Sequence, residues 1–104
     1  MTKTKLQTIA EKMRASVAKH ETGWTAATLP GGLDLVLSRQ SAEQWRLALR
    51  RERVYPSATE ESILAEVFAV PEGTEPVRRS TPETNPTTKR TVRWCVSEFA
   101  WREM

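Results

Sequence analysis

The apolar positions of the chain follow two spacings, and the helical spacing occurs in two segments. Between residues 2 and 20 the apolar side chains recur every three or four positions, which is typical of an amphipathic helix. After Pro56, Ser57 and Glu60 have the spacing of a capping box and predict the start of a second helix, which runs to about Ala69. The predicted buried faces of the two helices are Leu6, Ile9, Met13 and Val17, and Ile63, Leu64, Val67 and Phe68.

Alternation with a period of two predicts three strands between these helices. Residues 24–29 form the first, and the turn sequence at 30–32 leads into a second strand whose leucines, from Leu33 to Leu37, occupy every other position. Trp45, Leu47 and Leu49 alternate with polar or small residues and predict a third strand with one buried face. A helix competes over residues 44–53, which lack glycine and β-branched residues, but the alternation favours the strand.

Two further strands are predicted after the second helix. Residues 77–81 begin a basic strand, and a polar segment at about 82–90, rich in proline, threonine and asparagine, is expected to be a mobile loop. In the last strand the apolar positions change face, from Trp94 and Val96 to Phe99 and Trp101. Either a β-bulge near Ser97 or burial of the strand on both faces explains this change.

The predicted order of elements is α-β-β-β-α-β-β. Short turns between consecutive strands indicate a mainly antiparallel sheet of about five strands, with both helices packed on one side. We therefore expect one small α+β domain over residues 1–104, without internal repeats or linkers.

Composition narrows the cellular setting. Met1 to Ala10 contains no apolar segment of the kind that directs export, and no stretch has the roughly 20 apolar residues of a membrane span. Cys95 is the single cysteine, so the chain cannot form an internal disulfide. These features predict a cytoplasmic protein that does not enter membranes.

Few residues offer catalytic chemistry. His20 lies at the end of the first helix, where it is expected to serve as a cap, and Cys95 is expected to be a buried, inert thiol in a strand. A zinc site with nitrogen and sulfur ligands needs more histidines or cysteines than these. The glycines at 31 and 32 lie between strands and lack the lysine and hydroxyl of a nucleotide-binding loop. We therefore expect neither catalysis nor a cofactor.

The charges are unevenly distributed, although the net charge is only +3. Residues 39–53 hold five arginines against two glutamates, residues 60–75 hold five glutamates and no base, and residues 77–94 are basic again. Eleven of the 16 bases are arginine, the residue best suited to bind phosphate with two hydrogen bonds and to stack on bases.

This distribution suggests a nucleic-acid-binding accessory protein, for DNA or RNA, because phosphates attract arginines and aromatic rings stack on bases. Burial of Trp45 would direct Arg46 and Arg50 to the other face, and we expect Arg93 to join them because it alternates with Trp94. The alternative is that these arginines merely solvate the open side of the sheet. The predicted site comprises Arg46, Arg50, Arg51, Arg53, Tyr55, Arg78, Arg79, Lys89, Arg90, Arg93 and Trp101.

A second hypothesis is a protein-interaction module or inhibitor. Its contact surface would be the acidic second helix, through Glu60, Glu61 or Glu66, or an exposed edge strand. Self-association as a homodimer belongs to the same hypothesis.

Overall fold

The computed structural model describes residues 4–19 and 22–103 and has the predicted α+β architecture. Two helices and a five-stranded antiparallel sheet follow one another in the order α-β-β-β-α-β-β. The elements are α1 (Lys5–Ala18), β1 (Gly23–Leu29), β2 (Leu33–Arg39), β3 (Gln44–Glu52), α2 (Ala58–Val67), β4 (Val77–Thr84) and β5 (Thr91–Arg102).

The sheet has the order β1-β2-β3-β5-β4, so that β1 and β4 are its two edges. The first three strands form a meander, and the chain crosses through α2 before the β4–β5 hairpin completes the sheet beside β3. At the β1–β2 turn, Gly31 and Gly32 have φ of 90° and 81°, the left-handed region that favours glycine. The alternation identified in β3 is confirmed as a strand.

Both helices begin with capping boxes. The predicted box at Ser57 and Glu60 is confirmed, and Thr4 with Gln7 forms a second one at the start of α1. Each box satisfies two backbone N–H groups that lack partners within the helix. The predicted cap at His20 lies outside the described residues.

The hydrophobic core lies between the helices and one side of the sheet. Leu35, Leu37, Leu47 and Leu49 are fully buried in neighbouring positions of β2 and β3. Ala10, Met13 and Val17 of α1, Leu64 of α2 and Phe68, the residue that follows α2, cover them. Ile63 differs from the prediction, because 48% of its side chain is exposed, and Glu61 takes the buried position on that turn of α2.

Strand β5 is buried on both faces, which is the second of the two explanations for its change of apolar face. Its pairing with β3 keeps one register from Gln44↔Arg102 to Glu52↔Trp94, without a bulge. Val96 on one face and Phe99 on the other are both buried. Cys95 is buried as well, as expected.

The predicted loop at 82–90 was too long. Pro82, Glu83 and Thr84 belong to β4, and only residues 85–90 form the connection to β5. The backbone carbonyl of Arg93 accepts from the N–H of Arg53, so the backbone groups of Arg93 point toward β3 and not toward β4. Pro82 lies opposite Arg93 in the β4–β5 pairing, and its nitrogen therefore points away from β5. A proline at that position of an edge strand costs no hydrogen bond within the sheet.

Candidate interaction surface

The side of the sheet opposite the helices is uncovered in the described structure, and we call it the open face. Side chains of a strand alternate between the two faces, and the strand register brings one set together across all five strands. The open face consists of Trp24, Ala26, Thr28, Asp34, Val36, Ser38, Gln44, Arg46, Ala48, Arg50, Glu52, Val77, Arg79, Thr81, Glu83, Val92, Trp94, Val96, Glu98, Ala100 and Arg102.

The centre of the open face is apolar. Val36 and Ala48 are paired neighbours on β2 and β3 and are half-buried. Val96 lies directly between Arg50 and Arg79 in the register and is only 2% exposed. Since no helix covers this side, the aliphatic stems of the two arginines account for its burial.

Three arginines surround this centre and are held by glutamates. Glu98 lies between Arg46, at 3.5 Å, and Arg79, at 2.9 Å, so that one carboxylate joins β3 to β4 across β5. The Glu98 side chain is 14% exposed, whereas those of Arg46 and Arg79 are 45% and 49% exposed. The guanidinium groups therefore remain accessible while their positions are fixed.

The third arginine covers an aromatic ring. The guanidinium carbon of Arg50 lies 4.9 Å from the centre of the Trp94 ring, and Nη2 donates to Glu83 at 2.9 Å. The three arginines, Glu98, Val36 and Val96 line a cavity of about 310 Å³. Its wall carries three guanidinium groups and one carboxylate, and Glu83 beside it neutralises Arg50, so the local charge is about +1 at neutral pH.

Trp24 adds a large exposed aromatic surface at the β1 edge of the open face. Its side chain is 72% exposed, the most exposed of the large hydrophobic residues in the described structure. Sequence reasoning placed Trp24 at the start of a strand but did not treat it as a site residue. The alternation of β1 was the available signal, because burial of Ala27 and Leu29 against the core directs Trp24 and Ala26 outward.

Only part of the predicted nucleic-acid site lies on this face. Arg46, Arg50 and Arg79 are there, but the prediction for Arg93 was wrong. Arg93 is on the helix side of the sheet, where its Nη1 donates to Ser80 at 3.1 Å. The reason is the register, which places Trp94 on the open face rather than in the core with Trp45.

Two more predicted site residues bind the acidic helix. Arg51 donates to both carboxylate oxygens of Glu60, at 3.1 and 2.6 Å, and Arg78 donates to Glu61 at 2.5 Å. The hydrogen bonds from Arg51 lower the pKa of Glu60 from 4.5 to about 2, with a further contribution from the backbone N–H of Ser57. The same contacts raise the pKa of Arg51 and of Arg78 above their ordinary values.

The remaining predicted residues are dispersed. Trp101 stacks on Trp45 on the helix side, with ring centres 6.4 Å apart and planes 9° from parallel, so its ring is occupied within the protein. Arg53 and Tyr55 belong to the exposed segment between β3 and α2. Lys89 and Arg90 are exposed at the tip of the β4–β5 hairpin. The eleven residues therefore do not form one surface.

Comparison with known proteins identifies no relative. No protein family, curated protein or solved structure matches the chain. Within residues 4–19 and 22–103, no three His, Cys, Asp or Glu side chains are grouped so that they could hold a metal ion. No helix in the same residues has the length and apolar character needed to cross a membrane.

Proposed function

We propose that the chain is a protein-interaction module without catalysis, and that the open face is its binding surface. The observation that carries this proposal is an uncovered sheet face that combines the exposed Trp24 with three arginines held around an apolar centre. Tryptophan and arginine dominate the energetic centres of protein interfaces. A solvated sheet face does not need a valine between ordered arginines or a tryptophan that is almost three-quarters exposed.

The same geometry disfavours the nucleic-acid hypothesis. Four arginines of the open face are accompanied by four carboxylates, namely those of Asp34, Glu52, Glu83 and Glu98, so a chain of phosphates would meet both signs of charge. The other predicted bases lie on the helix side, at the hairpin tip or, in the case of Arg53, in the segment between β3 and α2. Trp94 offers no platform for base stacking, because the guanidinium of Arg50 already covers it, and Trp24 at the β1 edge is the exposed ring that remains on this face.

The charge of the cavity indicates the chemistry of the partner. A local charge of about +1, bordered by carboxylates, fits a single acidic side chain better than an extended polyanion. Apolar contacts around Val36 and at Trp24 would accompany that carboxylate. We infer a folded protein partner whose surface presents an isolated Asp or Glu within an apolar patch.

The acidic helix is a weaker binding surface than its sequence suggested. Glu60 and Glu61 are directed toward the sheet and are engaged by Arg51 and Arg78, and Glu61 is 5% exposed. A partner would have to replace these internal ion pairs. Of the three glutamates proposed from the sequence, only Glu66 is exposed.

The test compares two charge reversals that change the net charge equally. Arg79→Glu alters the open face, and Arg90→Glu alters the hairpin tip as the matched control. Proteins captured from an extract of the source cells by the wild-type chain but not by Arg79→Glu would be identified, produced in pure form and titrated by calorimetry. We expect a purified partner to bind wild type and Arg90→Glu equally and Arg79→Glu at least tenfold more weakly, a loss of about 1.4 kcal/mol or more.

The nucleic-acid hypothesis is tested with labelled single- and double-stranded DNA and RNA oligonucleotides at about 50 and 200 mM salt. The proposal predicts no micromolar binding to any of the four. Micromolar binding that decreases with salt and is weakened by Arg90→Glu would overturn it. Equal binding of the purified partner to wild type and Arg79→Glu would also contradict it.

A further inference from the structure

The two edges of the sheet differ in how they are protected from pairing with another strand. Edge strands usually carry charged residues, proline or bulges that prevent association. Strand β4 has Arg78, Arg79 and Glu83, and its Pro82 removes one outward donor. Strand β1, with the sequence GWTAATL, has seven residues and contains neither a charged residue nor a proline.

The hydrogen-bonding pattern shows which backbone groups of β1 face outward. In an antiparallel strand the N–H and C=O of one residue point to the same side, and successive residues alternate. The carbonyl of Leu29 accepts from the N–H of Gly32, toward β2. The backbone N–H of Gln40, which follows β2, donates to the carbonyl of Gln44 at the start of β3. The backbone groups of even-numbered β2 residues therefore point toward β3, and those of odd-numbered residues point toward β1.

Both observations give the same assignment for β1. Its odd-numbered residues bond to β2, and the backbone groups of Trp24, Ala26 and Thr28 point away from the sheet. The side chains of these three residues are exposed on the open face. The free edge thus offers three N–H groups and three carbonyls, centred on Ala26.

We infer that β1 pairs with β1 of a second copy of this chain, antiparallel and across a two-fold axis at Ala26. In this register Ala26 lies opposite Ala26 of the other copy, and Trp24 lies opposite Thr28, a large side chain beside a small one. All outward donors and acceptors meet a partner, because the set is symmetric about Ala26.

The absence of charge on β1 points to a second copy rather than to another protein. In a two-fold interface a charged residue near the axis faces its own copy, and the two repel each other. An edge that pairs with itself is therefore best uncharged near the axis, whereas an edge that binds a different protein can use complementary charge. Strand β1 meets the first condition along its whole length.

Dimerisation would join two sheets into one of ten strands. The even-numbered side chains of β1 belong to the open face, so the open faces of the two copies would become continuous, with both Trp24 side chains near the middle. This inference depends on the β1 edge and not on the proposed function. A dimer that binds no protein partner would support the inference and not the proposed function, and a monomer that binds a partner would do the reverse.

The first test measures mass by sedimentation velocity at about 1 to 100 µM. We expect wild type to approach twice the 11.8 kDa of the chain as the concentration rises. Ala26→Pro removes an N–H that β2 does not use, so it should fold yet remain a monomer. Ser80→Pro makes the equivalent change on β4, where Ser80 also faces outward by the same alternation, and should leave the dimer intact. Circular dichroism verifies the fold of both variants.

The second test remains informative if Ala26→Pro fails to fold. Ala26→Lys and Ala26→Glu each place like charges opposite one another at the axis, so each should be a monomer alone. Mixed in equal amounts, the two variants should form a heterodimer, because the charges then pair. A monomeric wild type at 100 µM, a dimer that persists in folded Ala26→Pro, or a mixture that stays monomeric would each overturn the inference.

Discussion

The ion pair between Arg51 and Glu60 fastens α2 to the sheet and allows a quantitative prediction. Arg51 projects from the helix side of β3 and donates two hydrogen bonds to the carboxylate of Glu60, which also accepts from the backbone N–H of Ser57 at 2.7 Å. Glu60→Gln removes the charge but leaves an amide oxygen that can retain the capping contact, since glutamine is accepted at that position of a capping box. The substitution therefore isolates the ion pair from the cap.

The contribution of the ion pair to the free energy of unfolding follows from the pKa of Glu60. A decrease from 4.5 to about 2 corresponds to at most about 3 kcal/mol, at 1.36 kcal/mol per unit. The Glu60 side chain is 35% exposed, so screening by solvent reduces this figure to about 1 to 1.5 kcal/mol. A carboxylate whose pKa is lower in the folded state stabilises the fold above its unfolded pKa of 4.5. That stabilisation disappears as the pH falls toward 2, and more than half should be lost by pH 3.

The assay is a double-mutant cycle by urea unfolding of wild type, Glu60→Gln, Arg51→Met and the double variant at pH 7 and pH 3. We expect a coupling free energy of about 1 kcal/mol at pH 7 and less than half of it at pH 3. Glu66→Gln, at an exposed position of the same helix, is the control and should behave as wild type at both values. A coupling near zero at pH 7, or one unchanged at pH 3, would refute the reasoning.

Three further predictions concern the core and the open face. Leu47→Ala should lower the free energy of unfolding by about 2 to 5 kcal/mol because Leu47 is fully buried. Ile63→Ala, at a half-exposed position, should lower it by less than about 1 kcal/mol. Similar losses for the two variants in urea unfolding would contradict the assigned core. Ser97 is fully buried and its hydroxyl has no hydrogen-bond partner in the described structure, so Ser97→Ala should leave the melting temperature unchanged or raise it, and a clear decrease would mean that the hydroxyl is satisfied. Trp24→Ser should change the free energy of unfolding by no more than about 0.5 kcal/mol, but it should weaken the binding of a purified partner at least tenfold. Unaltered affinity would show that Trp24 does not contribute to the interface.

The fold could be predicted from the sequence because its local signals agree with one another. The alternation of Trp45, Leu47 and Leu49 requires one buried face, and Ser57 with Glu60 defines the start of α2. Strand β5 was harder to assign because it is central and buried on both faces, so its apolar positions do not alternate. Pro82 was read as part of a loop, since the sequence alone does not reveal which side of an edge strand its nitrogen faces.

The candidate site could be predicted only in part because it depends on register between strands distant in sequence. Arg46 and Arg50 followed from alternation within β3, but the face of Arg93 depends on the pairing of Glu52 with Trp94. The carboxylates that occupy the arginines are distant in sequence, and Glu98 follows Arg46 by 52 residues. Counts of charged residues therefore overestimated how many arginines are available to a phosphate.

The most direct test of the open face as a protein-binding surface is its footprint. Amide signals of the isotopically labelled chain would be followed by nuclear magnetic resonance while a purified captured protein is added. We predict that the largest changes will involve Val36, Ala48, Val96 and the indole of Trp24, with little change in α2 or at residues 85–90. Changes concentrated in α2 or at the hairpin tip, with the open face unaffected, would contradict the proposed function.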